Sequence, residues 1–513
     1  MVDYTNTVPE VGTPWNKEWL KTKHPDYNKN IDKWRFCRES HELSGGYEPF
    51  LNINDGEPDL SAVVGSYLMP HEKELTKDGE VQTSFWRRVA NSTPPRFIQT
   101  GISTIVGALQ THEVLRSYPI RIADWSMSVD LDGSPLDTFF TRVITLFERY
   151  GKLFIFPRRN EVVANSVEEL KQSGLPEVIL EILSPEVVEA WEKDEWDQYL
   201  WIRYAETRES ISGPTGSVKK IKRHWYFTRV GWWAVDEVET NQEPVVVSSG
   251  VWGIINYVPI IEICTDNNLT YSASLAMKDY FNVSSELQKI EKDTAFSMTW
   301  VPVDNTLTKP EKQIKGPDIV GTFPASSSHT PMVLGPDPTP FTHLMNKLNF
   351  LKQEILGCYG LQAVEDSSSG VALAFQEGVA NKLYRSHSML LEEAEYDLIK
   401  VVGDLLGSPV DINMRSSWPR DFSTLESTKI LNDVKNLLSL NPGPVVRRLA
   451  VEKAVSVLLP GLTPKDKQDV LKSIPDGSEP DVEVMPVEAP AAAGGSDAEV
   501  LDPKIGSVVD TIE

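Results

Sequence analysis

From Val371 to Leu406 the chain runs 36 residues without a proline. At 1.5 Å per residue a continuous helix there would be about 54 Å long, against a mean helix of about 11 residues. A rod of that length cannot be enclosed in a small globular domain, so the remaining elements must be arranged along it.

The stretch before it is equally constrained. Thr265-Asp266-Asn267-Asn268 is a run of helix-capping residues. Ala276, Tyr280, Val283, Leu287, Ile290 and Thr294 follow in alternating steps of four and three. That spacing puts them on one seam of a helix opening near Leu269. A second helix begins at Pro338-Thr339-Pro340 and carries Phe341, Leu344, Leu348, Leu351 and Ile355 on one face. Between the two lies an insert, 299–339, in which Lys309, Lys312 and Lys315 alternate with prolines. It reads either as an extended basic tip that touches a partner or nucleic acid or as a solvated loop with scattered lysines; long loops without helix or strand are often functional. Glu365-Asp366-Ser367-Ser368-Ser369-Gly370 breaks the helical pattern before the long rod.

Elsewhere the period changes. Residues 1–60 are rich in Asn, Asp, Pro, Lys and Trp and predict an irregular arm anchored by Trp15, Trp19 and Trp34. Helical signals begin near Tyr67 and resume over Glu80–Ala90. Another helix carries Phe97, Ile98, Ile102, Ile105, Val106 and Leu109, and a third runs from Leu136 to a glycine stop at Gly151. Lys152–Pro157 reads as a buried strand. Between Leu200 and Ile263 the period is two: Trp201–Arg208, Lys222–Arg229, Trp232–Val238, Val245–Val247 and Tyr257–Ile263 predict one antiparallel sheet, with a hairpin across Val230-Gly231. After the rod come a short strand at Val410–Met414 and helices over Ser423–Leu440, Pro444–Leu459 and Pro464–Ile474. From Pro475 to Glu513 there are ten acidic residues and one basic residue, Lys504, a composition that predicts disorder. The fold class is α+β.

Composition narrows the function. A net charge of -24 argues against a protein that grips nucleic acid through its overall field, since phosphate neutralisation needs clustered Lys and Arg. No stretch reaches 18 apolar residues, so no membrane span is expected. The first residues lack a basic and an apolar region, so no secretory leader is expected either. Cys37, Cys264 and Cys358 are odd in number and widely spaced, which suits a reducing compartment and buried thiols. There is no phosphate-cradling Gly-x-x-x-x-Gly-Lys-Ser/Thr loop and no Gly-x-Ser-x-Gly elbow. His71-Glu72 and His112-Glu113 begin like a zinc-protease helix, but neither has a second histidine four residues on. No catalytic residue, cofactor or metal ligand is expected. The 14 tryptophans leave one enzymatic alternative, a carbohydrate-active enzyme with Trp platforms and paired carboxylates. Trp225, Trp232 and Trp233 lie in alternating strands, where packing is the competing use.

The order of parts resembles the portal proteins of tailed bacteriophages. Local stretches that carry the likeness are Tyr67-Leu68-Met69-Pro70 leading to Trp86-Arg87-Arg88-Val89-Ala90-Asn91, the Tyr257-Val258-Pro259-Ile260 strand, and Ser272-Ala273-Ser274-Leu275 opening a helix with Tyr280-Phe281-Asn282. It spans about residues 60–475. The resemblance implies a wing over 61–268 after the 1–60 arm, stem helices 269–298 and 340–358, a clip at 299–339 and a tunnel loop at 359–370. It further implies a long helix and wing return at 371–422, a crown at 423–474 and the acidic tail 475–513. It implies a ring of twelve copies at one capsid vertex that is no enzyme. Double-stranded DNA would pass through it unspecifically in packaging and ejection. The partners implied are the terminase packaging motor, tail adaptors, and the major capsid and scaffolding proteins. Glu365, Asp366, Ser367, Ser368, Ser369 and Gly370 would then face DNA. Lys278, Glu286, Lys289 and Lys292 are the tunnel-facing candidates of the stem, and Lys309, Lys312 and Lys315 the docking candidates of the clip. A different virion component, from a tail or baseplate, is the remaining alternative.

Overall fold

The computed structural model describes residues 8–48, 53–54, 57–58, 66–70, 74–75, 85, 88–89, 92–111, 113–160, 176–211, 218–238, 243–253, 255–294, 298–303, 320–324, 332–334, 339–361, 370–411, 416–420, 422, 434–440 and 443–458. The chain divides into two compact units, 1–423 and 424–513.

The amino-terminal arm is not irregular. After a short α1 (Lys17–Lys21) it forms an 18-residue helix, α2 (Pro25–Glu42), which places Tyr27, Trp34 and Cys37 on its buried face. Proline at the first helical position and Leu43 in the left-handed region (φ 56°) mark its ends. The tryptophan anchors act as expected: Trp15 packs on Tyr226 and Trp233 of a sheet, Trp19 packs edge-on against Trp15, and Trp34 joins Tyr27 and Tyr150.

A small hairpin, β1 (Ile53–Asn54) with β2 (Glu57–Pro58), precedes the helical core. That core is built from α3 (Phe97–Leu109), α4 (Ile120–Trp125) and α5 (Leu136–Tyr150). Ile98, Ile102, Ile105 and Leu109 recur at helical spacing and are wholly buried. Gly101 is there because the Tyr359 ring lies where a Cβ would be, 2.2 Å from its nearest carbon. Helix α5 ends at Gly151 (φ 68°), the predicted glycine stop.

Two antiparallel sheets follow. The first has order β10 (Ile261–Cys264), β3 (Lys152–Arg159), β4 (Val178–Leu183); the second runs β5 (Val188–Lys193), β6 (Tyr199–Ile211), β7 (Val218–Thr228), β8 (Gly231–Val238), β9 (Val245–Val251). The Tyr257–Ile263 run therefore does not extend the larger sheet; its strand pairs with β3, Ile261 against Ile155. Strands β4 and β5 were not evident from alternation. In the larger sheet, the register Tyr204↔Trp225↔Ala234 puts Trp225, Phe227 and Trp232 on one face. Arg203, His224, Tyr226 and Trp233 take the other, under the amino-terminal arm.

From this body the chain leaves along α6 (Leu269–Thr294) and returns along α7 (Thr339–Cys358). Between them a three-stranded sheet is made of β11 (Met298–Val303), β12 (Val320–Pro324), parallel to β11, and β13 (Met332–Leu334), antiparallel to it. Then α8 runs unbroken from Gly370 to Leu406, 37 residues. Val410 and Asp411 are not strand; Ile412–Met414 lie outside the described residues. In the second unit, residues 434–439 are helical and α9 spans Pro444–Leu458. Pro464–Ile474 and the acidic tail lie outside the described residues. The architecture is α+β.

Candidate assembly surface

Helix α6 starts where its capping run places it. Asn268 Oδ1 accepts from the Tyr271 amide at 2.9 Å, and Asn268 Nδ2 donates to Tyr150 O at 2.7 Å, tying the helix start to the end of α5. The expected seam is present: Val283 is buried against Leu348 and Leu351 of α7, with Tyr280, Leu287 and Leu344 packed around them. A second stripe was missed. Thr270, Ser274, Met277, Phe281 and Ser285 are buried on the side facing the body, because the first half of α6 is covered on two sides. Their steps of three and four were legible, but polar members hid them.

A buried ion pair anchors this second stripe. The Arg88 guanidinium is bidentate to Glu74 (3.1 and 2.9 Å) and also donates to Ser285 Oγ at 3.0 Å and Met69 O at 2.6 Å. Lys289 Nζ lies 3.2 Å from Glu74, and Lys278 sits over the Tyr67 ring. Lys278 and Lys289 are thus engaged by the chain's own 67–88 segment, since eleven residues return to the same side of a helix. Glu286 is half-buried, and Lys292 lies in the last turns of α6. Gly370 is the first residue of α8; Glu365–Ser369 and Lys309, Lys312 and Lys315 lie outside the described residues, as do His71, Glu72 and His112.

The outer part of the hairpin is sparsely covered. From Thr339 to Phe350 only Leu344 and Leu348 are even partly buried, while Phe341 and Met345 are each 38% exposed and Phe350 64%. Phe350 lies roughly opposite Leu348 around the helix. An α-helix that buries one narrow seam and presents aromatic side chains elsewhere has surface left for another partner.

Helix α8 is fixed far more firmly. The fully buried Glu395 accepts from Arg116 Nε and Tyr118 Oη at 2.5 Å each and from Trp418 Nε1 at 2.6 Å. Burial and this carboxylate push the Tyr118 hydroxyl well above the ordinary tyrosine range. His387 Nδ1 lies 2.6 Å from Glu148 of α5, and Tyr257 donates to Asp404 at 2.6 Å. These contacts clamp the carboxy-terminal half of the rod to α5, the 116–118 segment, Trp418 and the loop before β10. No sequence signal could pair groups so distant in the chain.

Of the cysteines, Cys37 is buried, Cys358 partly covered and Cys264 exposed, so the reading of three buried thiols holds for one. Among the described residues no group of three or more His, Cys, Asp or Glu is placed to hold a metal ion, and no helix is long and apolar enough to cross a membrane. Trp233 is buried; Trp225 stacks with Phe227 and its Nε1 donates to Glu206 at 2.7 Å, with Arg208 and Arg223 over its ring.

No family model and no curated protein matches this sequence. Among solved structures, a chain from the "neck of native GTA particle computed with C12 symmetry" is similar at 13% identity and a TM-score of 0.36, over 77% of this chain and 93% of that one.

Proposed function

We propose that this chain is the portal protein of a tailed bacteriophage. It forms a ring, of twelve copies by family analogy, at one capsid vertex, through which the genome is packaged and ejected. The observation that carries the reading is the hairpin α6–β11–β12–β13–α7 followed by the 37-residue α8. Such a hairpin, covered on one seam and clamped at its base, suits a stem whose remaining faces are closed by neighbouring copies through heterologous contacts. In this reading the 299–339 insert docks the packaging motor and later the tail adaptors, and capsid and scaffolding proteins surround the wing. The protein acts by shape and charge and catalyses nothing. A net charge of -24 lets DNA slide past without sticking. Lys278 and Lys289, two of the stem's candidate cations, are engaged by Tyr67 and Glu74 rather than held out to grip phosphate. The place of work is the virion. Deleting Glu365–Gly370 tests the tunnel assignment: rings should still form while DNA packaging or retention falls. Normal packaging by that deletion contradicts it.

A further inference from the structure

The β5–β6 hairpin ends in a tryptophan left in solvent. Trp196 is 82% exposed, and among the described residues it is the only tryptophan so exposed. Its tip is preorganised: Asp194 Oδ1 accepts from the Trp196 and Gln198 amides at 2.9 and 3.0 Å, and Asp194 Oδ2 pairs with Arg229. Asp197 takes the left-handed conformation (φ 61°) that closes the turn. An exposed indole carried on a turn whose backbone is already fixed is the kind of side chain that anchors protein interfaces. Asp194 is paired with Arg229 and Asp197 with Lys193, which leaves Glu195 as the carboxylate of the tip that carries a net negative charge outward.

The other face of the same sheet region carries its complement. Trp225, Trp232 and Trp252 line a cavity of about 450 Å³ rimmed by Arg158, Arg208 and Arg223. Arg159 completes four arginines against three carboxylates, Glu181, Glu206 and the Asp236 that pairs with Arg223, a positive excess of one in a strongly acidic chain. The arginines are held, not idle: Arg208 reaches Glu206 at 2.6 Å, Arg223 is bidentate to Asp236, and Arg159 donates to Leu405 O. Arg208 and Arg158 remain 50% and 36% exposed, so each still has N–H groups facing solvent. Stacked aromatics with guanidinium edges suit an indole flanked by carboxylates.

We propose that the Trp196 tip of one copy seats in the arginine-rimmed aromatic cleft of a second copy. Tip and cleft are different patches, so the contact is heterologous and propagates around a closed assembly. The inference rests on the ring reading and names one of its contacts. Sedimentation of the full chain tests it. Trp196→Ala should raise the concentration for half-assembly at least tenfold. Glu195→Arg and Arg208→Glu should each weaken assembly, and the two together should restore it to within about threefold of wild type. Because Arg208→Glu disturbs the Trp225 stack, a second measurement stands beside it. Chains carrying Glu195→Cys are mixed with chains carrying Val251→Cys, at the 67% exposed rim of the cleft. A short bismaleimide should join them only in the mixture, each variant alone controlling for the native cysteines. Rings from Trp196→Ala and Glu195→Arg at wild-type concentration, with no mixed cross-link, overturn the contact and leave the ring reading standing. A wild-type chain that is monomeric at every concentration overturns both.

Discussion

The body and the hairpin hold themselves together differently. In the body, α5 is buried along one face by Phe139, Phe140, Val143, Ile144 and Phe147, and the rod α8 is locked to it by buried charges such as Glu395 with Arg116. In the hairpin, α7 has one seam, Leu348, Leu351 and Ile355, and leaves Phe350 in solvent. The helical core of the body is closed, although its rim leaves Ile120 and Trp196 in solvent, whereas the outer part of α7 has no second apolar face covered. The difference teaches where a partner fits: on the hairpin's uncovered faces and on the body's exposed rim, such as Trp196, rather than against the sealed helical core.

Breaking the body should cost most. Phe147→Ala removes a 1% exposed ring from the centre of the core and should destabilise by about 3–5 kcal/mol, read as a shift in denaturant midpoint. A shift under about 1 kcal/mol would mean that the core is looser than described. Next comes acid. Glu262 is largely desolvated, which disfavours its charge, but Lys152, Lys193 and the Tyr199 hydroxyl outweigh that and hold its carboxyl down to about 2 from 4.5. A carboxyl depressed on folding stabilises the fold above its unfolded value and loses that contribution as pH falls from about 4.5 toward 2. The loss should be on the order of 3 kcal/mol. Glu262→Gln should flatten stability across that window; an unchanged acid limb would remove Glu262 from the account.

In the hairpin, Leu351→Ala should cost about 2 kcal/mol, near the low end for a buried leucine, because a helix covered on one side relaxes into the gap. An effect equal to that of Phe147→Ala would erase the contrast. Smallest is Phe350→Asp, which should leave the stability of the isolated chain within about 0.5 kcal/mol. If the hairpin packs against neighbours, the same substitution weakens assembly. Wild-type assembly with Phe350→Asp would place the contact on another face.

Local chemistry made much of the fold readable. The Thr265–Asn268 caps, the Gly151 stop, the turn at Val230 and the proline-free rod each fix an element boundary by short-range rules. What escaped was of two kinds. Helix α2 was hidden because its buried residues, Tyr27, Trp34 and Cys37, sit in a strongly polar sequence. Strands β4 and β5 were hidden because Glu181, Glu189 and Glu192 interrupt their apolar runs, and Glu189 is buried only because Arg203 and Lys222 neutralise it. Long-range pairing was the second kind. That β10 joins β3 rather than β9, and that Arg88 reaches Ser285 across 197 residues, follows from three-dimensional packing that no local pattern encodes. Of the candidate site, the α6–α7 seam was legible, but not the use of Lys278 and Lys289 against the body.

Native mass with a top-view image of the purified chain tests the central claim most directly. The account predicts a ring of about a dozen copies around a central hole, about 690 kDa in all for a 57.5 kDa chain. A compact 57.5 kDa monomer at all concentrations would contradict it.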